Sequence, residues 1–352
     1  MNAGKRDLGG DARDGRGRPG GPRARRRSPT RRAVVVLSIV VIAALAGGLF
    51  VWNRDAIAWW RSVTNSPSVV FAAGDIACDP ADHAFKGGNG SPIACDQAAT
   101  ARLLDPSAAA ILLLGDDQYE CGGLAAYQAS FDKTWGAFKA LVRPAPGNHE
   151  HQATSGTDCD ASGEAGGYFA YFGNAAHQES GGHYSFDLGS WHLIALDSNC
   201  RQVGGCAAGS VEEQWLRADL AANRQPCVLA YWHHPRWSSG THGNESQTKA
   251  FWDDLYAARA DIVLNGHDHD YERFALQSPA GVADSMGIRE FVVGTGGRSH
   301  DPLRQVAPNS QARNFDTFGV LKLTLSADSY AWSFVPAAGS TFTDSGTGAC
   351  HQ

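Results

Sequence analysis

The chain has 352 residues, 30 of them Lys or Arg and 36 Asp or Glu, and the charge is divided unevenly along it. Residues 1–46 hold 11 basic against 3 acidic side chains, leaving 19 against 33 in the rest, a formal charge of −14 there. Such an acidic bulk lacks the Lys and Arg that replace counterions along a polynucleotide, so a nucleic-acid backbone is excluded as the main partner.

Residues 1–32 are rich in Arg and Gly, with almost no apolar residue apart from Leu8, and predict a disordered basic segment with nothing to bury. Residues 33–52 form an apolar stretch broken only by Ser38. At about 1.5 Å per residue it spans roughly the 30 Å core of a bilayer, which predicts a transmembrane signal anchor. Basic residues before the stretch put the N-terminus in the cytoplasm and the acidic bulk outside. Trp52, Trp59 and Trp60 suit an interfacial belt; Ala44-Leu45-Ala46 offers the alternative of a signal peptide cleaved after Ala46 and a secreted protein. Residues 53–67 read as a linker. No Pro/Gly/Ser tract or charge run divides residues 68–352, which predicts one domain.

Within that domain, buried-strand patterns alternate with helical ones, and five of the strands run into short polar clusters. Strand 69–72 leads to Gly74-Asp75. A helix over 96–104 and a strand over 110–114 follow, and then Gly115-Asp116-Asp117-Gln118-Tyr119. A helix over 124–141 and strand 141–145 lead to Gly147-Asn148-His149-Glu150. Strands 184–188 and 192–196 flank Gly189-Ser190 as a hairpin, and helix 211–222 starts with Ser210 and Glu213 as a capping box. Strand 228–232 leads to His233-His234-Pro235, a loop over 237–245 carries His242, and helix 247–258 and strand 262–264 lead to Gly266-His267-Asp268-His269. Segments 318–325 and 330–335 close as another hairpin. The mixture predicts an α/β domain with parallel pairs in the core and antiparallel strands toward the edges. Gly294, Gly296 and Gly297 lack a following helix and read as a tight turn at the site rim rather than a dinucleotide loop.

The eight cysteines, Cys78, Cys95, Cys121, Cys159, Cys200, Cys206, Cys227 and Cys350, all follow the apolar stretch. An even number in an oxidising compartment favours disulfides over metal binding, and the absence of a Cys-x-x-Cys pair argues against zinc held by these cysteines. Sequence does not fix the pairing. Proximity suggests Cys200 with Cys206 and Cys78 with Cys95, which leaves Cys121 with Cys159 and Cys227 with Cys350.

A lone Gly-Asp at a strand end is usually a turn, and a lone buried His usually a satisfied core residue. Five such clusters in order, offering carboxylate, amide and imidazole donors, suit two hard cations roughly 3.5–4 Å apart that act together on a phosphoryl group. On these residues the chain resembles the calcineurin-like metallophosphoesterases, over about residues 68–300. That family's first motif usually carries a His two residues after its Asp, where Ala77 stands here, and Tyr119 lies three residues after Asp116. The exchange looks like the purple acid phosphatases, in which a tyrosinate replaces the histidine and favours Fe(III).

The resemblance implies a four-layer α/β/β/α sandwich with two mixed central sheets. It implies one metal held by Asp75, Asp116, Tyr119 and His269, and a second held by Asp116, Asn148, His233 and His267. His233 is preferred to His234 because it puts Pro235 two residues after the ligand. The metals implied are Fe(III) with a divalent Fe, Zn or Mn. His149 is implied to contact the phosphate, with Glu150 orienting it, and His242 is a candidate second acid or phosphate donor. The expected activity is an acid phosphatase-like phosphomonoesterase with a metal-bridging hydroxide as nucleophile. The alternatives are a phosphodiesterase or nucleotidase on the same centre, and a non-catalytic surface scaffold.

Overall fold

The computed structural model describes residues 66–351. The expected basic segment 1–32, the apolar stretch 33–52 and nearly all of the linker lie outside the described residues. Among those described, no helix is long and apolar enough to cross a membrane. The strands in chain order are β1 (Ser68–Ala73), β2 (Ala110–Leu114), β3 (Val142–Ala145), β4 (Tyr184–Leu188), β5 (Trp191–Ala195), β6 (Cys227–Tyr231) and β7 (Ile262–Asn265). They continue with β8 (Tyr271–Phe274), β9 (Arg289–Val293), β10 (Ser310–Asn314), β11 (Gly319–Leu325), β12 (Ser329–Pro336) and β13 (Ser345–Ala349). The α-helices are α1 (Gln97–Ala101), α2 (Leu124–Ala129), α3 (Gly166–Phe172), α4 (Val211–Ala222) and α5 (Lys249–Ala257).

Two mixed sheets result, one of six strands in the order β13-β12-β11-β1-β2-β3 and one of seven in the order β10-β8-β9-β7-β6-β5-β4. β1, β2 and β3 pair in parallel, as do β5, β6, β7 and β9. The antiparallel strands β11 to β13 lie at one end of the first sheet, and β4, β8 and β10 flank the second. In the six-stranded sheet the parallel trio runs out to an edge at β3 rather than lying in the middle. Side-chain alternation sorts the cores. Leu193, Leu229, Tyr231, Ile262 and Leu264 join the core they share with Leu112, Leu114 and Leu321 of the other sheet. Ile194, Val228, Ala230 and Val263 point the other way, onto Leu216 of α4 and Phe251, Trp252 and Leu255 of α5. Each fully buried Leu or Phe in these layers contributes about 1.5–3 kcal/mol.

The expected helix over 124–141 breaks after α2, and two 3₁₀ turns, Phe131–Lys133 and Trp135–Leu141, take its place. The reason is competition for backbone groups. Gln118 Oε1 accepts the Phe131 N–H at 3.1 Å, and Ser130 donates its hydroxyl to the Cys78 carbonyl at 2.7 Å. Half of the α4 capping box forms: Ser210 Oγ accepts the Glu213 N–H, while the Glu213 carboxylate reaches Gly209 N rather than Ser210 N. Four disulfides join Cys78–Cys95, Cys121–Cys159, Cys200–Cys206 and Cys227–Cys350, the expected pairs.

Candidate metal centre

All five polar clusters lie at the carboxyl ends of β1, β2, β3, β6 and β7, where the chain leaves the sheets. The turn that aims each donor inward is tight. Asp75, Asp116 and His267 have φ of 59°, 52° and 74°, a left-handed backbone that costs most L-residues about 1–2 kcal/mol and that Asp tolerates best. Glycine beside them is obligatory: a Cβ on Gly147 would stand 2.1 Å from Asp116 Oδ1, and one on Gly266 would stand 2.6 Å from Asp75 Oδ2. The two sheets are stitched here, with Gly74 N donating to Val293 O at 2.9 Å and Gly296 N to Gly74 O at 2.9 Å. The Gly294–Gly297 segment therefore closes the rim of the site, with no helix after it.

The donors fall into two groups that share one atom. In the first, the Tyr119 phenol oxygen lies 2.8 Å from Asp75 Oδ1, 3.0 Å from Asp116 Oδ2 and 2.9 Å from His269 Nε2. In the second, His233 Nε2 lies 3.2 Å from Asp116 Oδ2, 3.1 Å from Asn148 Oδ1 and 3.1 Å from His267 Nδ1. Asp116 Oδ2 belongs to both. Each donor is held by its other atom: Asp75 Oδ2 accepts His267 N, Asp116 Oδ1 accepts His149 N, and His233 Nδ1 meets the Leu114 carbonyl, all at 2.8 Å. His269 Nδ1 lies 2.8 Å from Ser299 Oγ. Such outer bonds fix ring orientation and leave the inner nitrogens of His233 and His269 as lone-pair donors.

The electrostatics suit multivalent cations. Burial, then the Asp116 and Asp75 carboxylates, push the Tyr119 phenol well above its ordinary value; a bound cation inverts that logic and favours phenolate. Burial would raise Asp116, but the His233 and His149 imidazoles outweigh it and hold the carboxyl well below its usual range. Burial lowers His267, and His233, His234 and His242 add to the effect, keeping that imidazole neutral and able to ligate.

Around this centre the His149 ring lies tilted against Tyr119 at 4.2 Å, with Nδ1 on the Glu120 carbonyl at 2.5 Å and Nε2 3.9 Å from Asp116 Oδ2. Glu150 does not orient it. Its Oε2 accepts the N–H groups of Asp116 and Gly147, and its Oε1 those of Asp117 and Gln118 and the Tyr127 hydroxyl. His242 is about half exposed, its ring tilted against that of His267 at 4.2 Å, with Nε2 3.7 Å from Asp301 Oδ2. Its loop is held by Asp268, which accepts the His242 N–H at 2.8 Å and the Ser238 hydroxyl.

A family model described as calcineurin-like phosphoesterase matches residues 91–271, just over half of the chain. The chain belongs to the calcineurin-like phosphoesterases. Among members of that family it is similar to purple acid phosphatase 15 of Arabidopsis thaliana, with 31% identity over 49% of this chain and 37% of that protein. Purple acid phosphatase 22 of the same plant is 33% identical over 33% of this chain and 27% of its own length. The chain thus spans about a third of the length of the curated relatives it matches. The solved purple acid phosphatase PPD1 from yellow lupin seeds shares the fold, with a TM-score of 0.61 at 19% identity over 80% of this chain and 54% of that one. As a calcineurin-like phosphoesterase the protein brings together all seven expected donors, with His149 and His242 at the edge of the centre.

Sequence reasoning missed the residues that act on this centre from outside the five clusters. Arg298 lies 5.1 Å over the Tyr119 ring and holds Glu120 at 2.6 Å. The buried His151–Asp197 pair, 3.0 Å apart, lies beside the third cluster, where Asn199 donates to the Gly147 carbonyl. No local pattern marks these residues, because each partner is distant in sequence.

Proposed function

We propose that the protein is an exported, dinuclear metal-dependent phosphoester hydrolase of the purple acid phosphatase type, acting on phosphate monoesters. The observation that carries this reading is the sharing of Asp116 Oδ2 between two complete donor groups. Asp75, Asp116, Tyr119 and His269 would hold one cation, and Asp116, Asn148, His233 and His267 the other. When bound, such a pair supplies Lewis acidity toward the phosphoryl oxygens and a water-derived nucleophile at moderate pH. The phenolate of Tyr119 suits Fe(III) in the first position, with a divalent Fe, Zn or Mn in the second.

The chain's own groups do the rest. His149, with Nδ1 donating to the Glu120 carbonyl, presents Nε2 toward the centre, where the ring protonated on both nitrogens would donate to a phosphoryl oxygen, give its Nε2 proton to the departing alkoxide and be left as neutral imidazole. His242, beside His267 and close to Asp301, is placed to assist from the open side. Export is supported by four disulfides, which persist in oxidising compartments, and by the apolar stretch at 33–52. That stretch serves as a membrane anchor in this reading, with the domain outside.

The test is metal analysis of the purified protein with rates on a phosphate monoester and a diester. Two ions per chain, activity lost to chelation and faster monoester turnover are expected. Faster diester turnover would reassign the substrate class, and absence of both metal and hydrolysis would end the enzymatic reading.

A further inference from the structure

His234 adjoins the proposed ligand His233 but serves neither donor group. Its ring stands 5.0 Å from that of His233 and 4.4 Å from that of His267. One imidazole nitrogen from each of the three lies within 4.8 Å of the others. His234 Nδ1 lies 2.8 Å from Ser198 Oγ, and the His234 backbone N–H donates to that same oxygen at 3.0 Å. A hydroxyl oxygen that already accepts this N–H still has its own proton to donate. Given to Nδ1, that proton makes Nδ1 the acceptor and leaves the ring proton on Nε2. His233 and His267 spend their facing nitrogens on the donor cluster, so His234 is the adjacent imidazole with a proton to offer.

His234 and Asn148 also line a recess of about 250 Å³, together with Arg201, Gln202 and Gln247. Its one carboxylate, Glu245, is engaged by the backbone and amide N–H groups of Gln247. His234 carries the only aromatic ring in the lining. Such a mostly polar wall suits a small occupant rich in hydroxyl groups better than an aryl ring.

We propose that His234 is a catalytic hydrogen-bond donor from Nε2 to the ester oxygen of the substrate, and that the recess takes the alcohol half, a small polyol or sugar. The proposal rests on the phosphoester-hydrolase reading. Ser198 is a positioning residue that fixes the tautomer.

The experiment compares metal-loaded, full-length wild-type, His234→Ala, His234→Gln and Ser198→Ala proteins on glycerol 2-phosphate and 4-nitrophenyl phosphate, with metal content measured for each. If the wild type hydrolyses neither ester, the parent reading has failed, apart from His234. Otherwise His234→Ala should keep both metals and lose about 10–100-fold in kcat/KM on glycerol 2-phosphate, the effect of removing a hydrogen bond to developing charge. It should lose less than about threefold on 4-nitrophenyl phosphate, whose leaving group needs little help. The amide N–H of His234→Gln should restore part of the loss, and Ser198→Ala should show the same split more weakly. Loss of a metal from His234→Ala would make the residue a ligand, equal losses on both esters would make it structural, and no loss would remove it from the reaction; each overturns the proposal.

Discussion

Asp75 Oδ2 accepts the backbone N–H of His267 at 2.8 Å, although the two lie 192 positions apart. The first cluster thereby anchors a donor of the second group while its own Oδ1 faces the first. Asp75→Ala is expected to strip both ions, not one, because it removes a donor and frees the His267 turn. Element analysis after desalting would give well below one ion per chain; retention of a full second ion would show that the anchor is dispensable.

Tyr119→Phe separates the two groups. Protein loaded with iron should show a visible phenolate-to-Fe(III) band, which the variant abolishes while its far-ultraviolet circular dichroism stays unchanged. A colourless iron-loaded wild type, active with two divalent ions, would remove the tyrosinate from the centre and leave the other six donors in place.

His149 touches the donor cluster through its backbone N–H, the long 3.9 Å approach to Asp116 and a ring contact with Tyr119, and its Nδ1 is spent on the Glu120 carbonyl. His149→Ala should keep both metals and lower turnover by about 10²–10⁴, the range for a lost general acid or base. Metal loss in proportion to activity would make it a ligand.

His192 on β5 tests a pH effect far from the metals. Its Nδ1 lies 2.8 Å from Asp187 and its Nε2 2.7 Å from Asp219 on α4. Burial lowers this imidazole, but the two carboxylates outweigh burial and raise it above its ordinary value. A raised folded value means stabilisation that is complete below the unfolded pKa of about 6.5 and lost as pH climbs through the folded value. The stability difference between wild type and His192→Gln should therefore shrink as urea melts move from about pH 6 toward alkaline pH. A difference that is flat or grows with pH would contradict the assignment.

Cys227–Cys350 closes a loop across 123 positions and ties β6 to the end of β13. Cys227→Ala with Cys350→Ala should cost about 2–5 kcal/mol in denaturant melts, with metal stoichiometry unchanged because no proposed ligand lies near the bridge. An unchanged midpoint would mean that the sheet edge is held without it.

The legible part of this protein is the part where chemistry follows local pattern. Apolar runs such as Ala110–Leu114 ending at Gly-Asp announce both a buried strand and the donors beyond it, and the position of Pro235 is the sequence's one reason to prefer His233 to His234. The break in the helix expected over 124–141 has no local signal, because the groups that cause it, Gln118 and the Cys78 carbonyl, come from other loops. β10 and β13 carry polar or glycine-rich sequences, SQARN and SGTGA, that become strands only by pairing with β8 and β12. The true partners of Glu150, the N–H groups of Asp116, Asp117, Gln118 and Gly147 and the Tyr127 hydroxyl, lie mostly in other segments, so its neighbour His149 is a misleading guide to its role.

The five donors gathered on the Glu150 carboxylate have a mechanical consequence. They weld the second and third clusters into one rigid jaw, with the bridging Asp116 and the neighbouring Asn148 on the same piece. The loops at 199–206 and 237–245, which would meet the substrate's organic half, are fastened elsewhere, by the Cys200–Cys206 bridge and by Asp268. Variation in those loops would leave the spacing of the seven donors untouched, so on the proposed reading a change of ester preference need not pass through a broken centre.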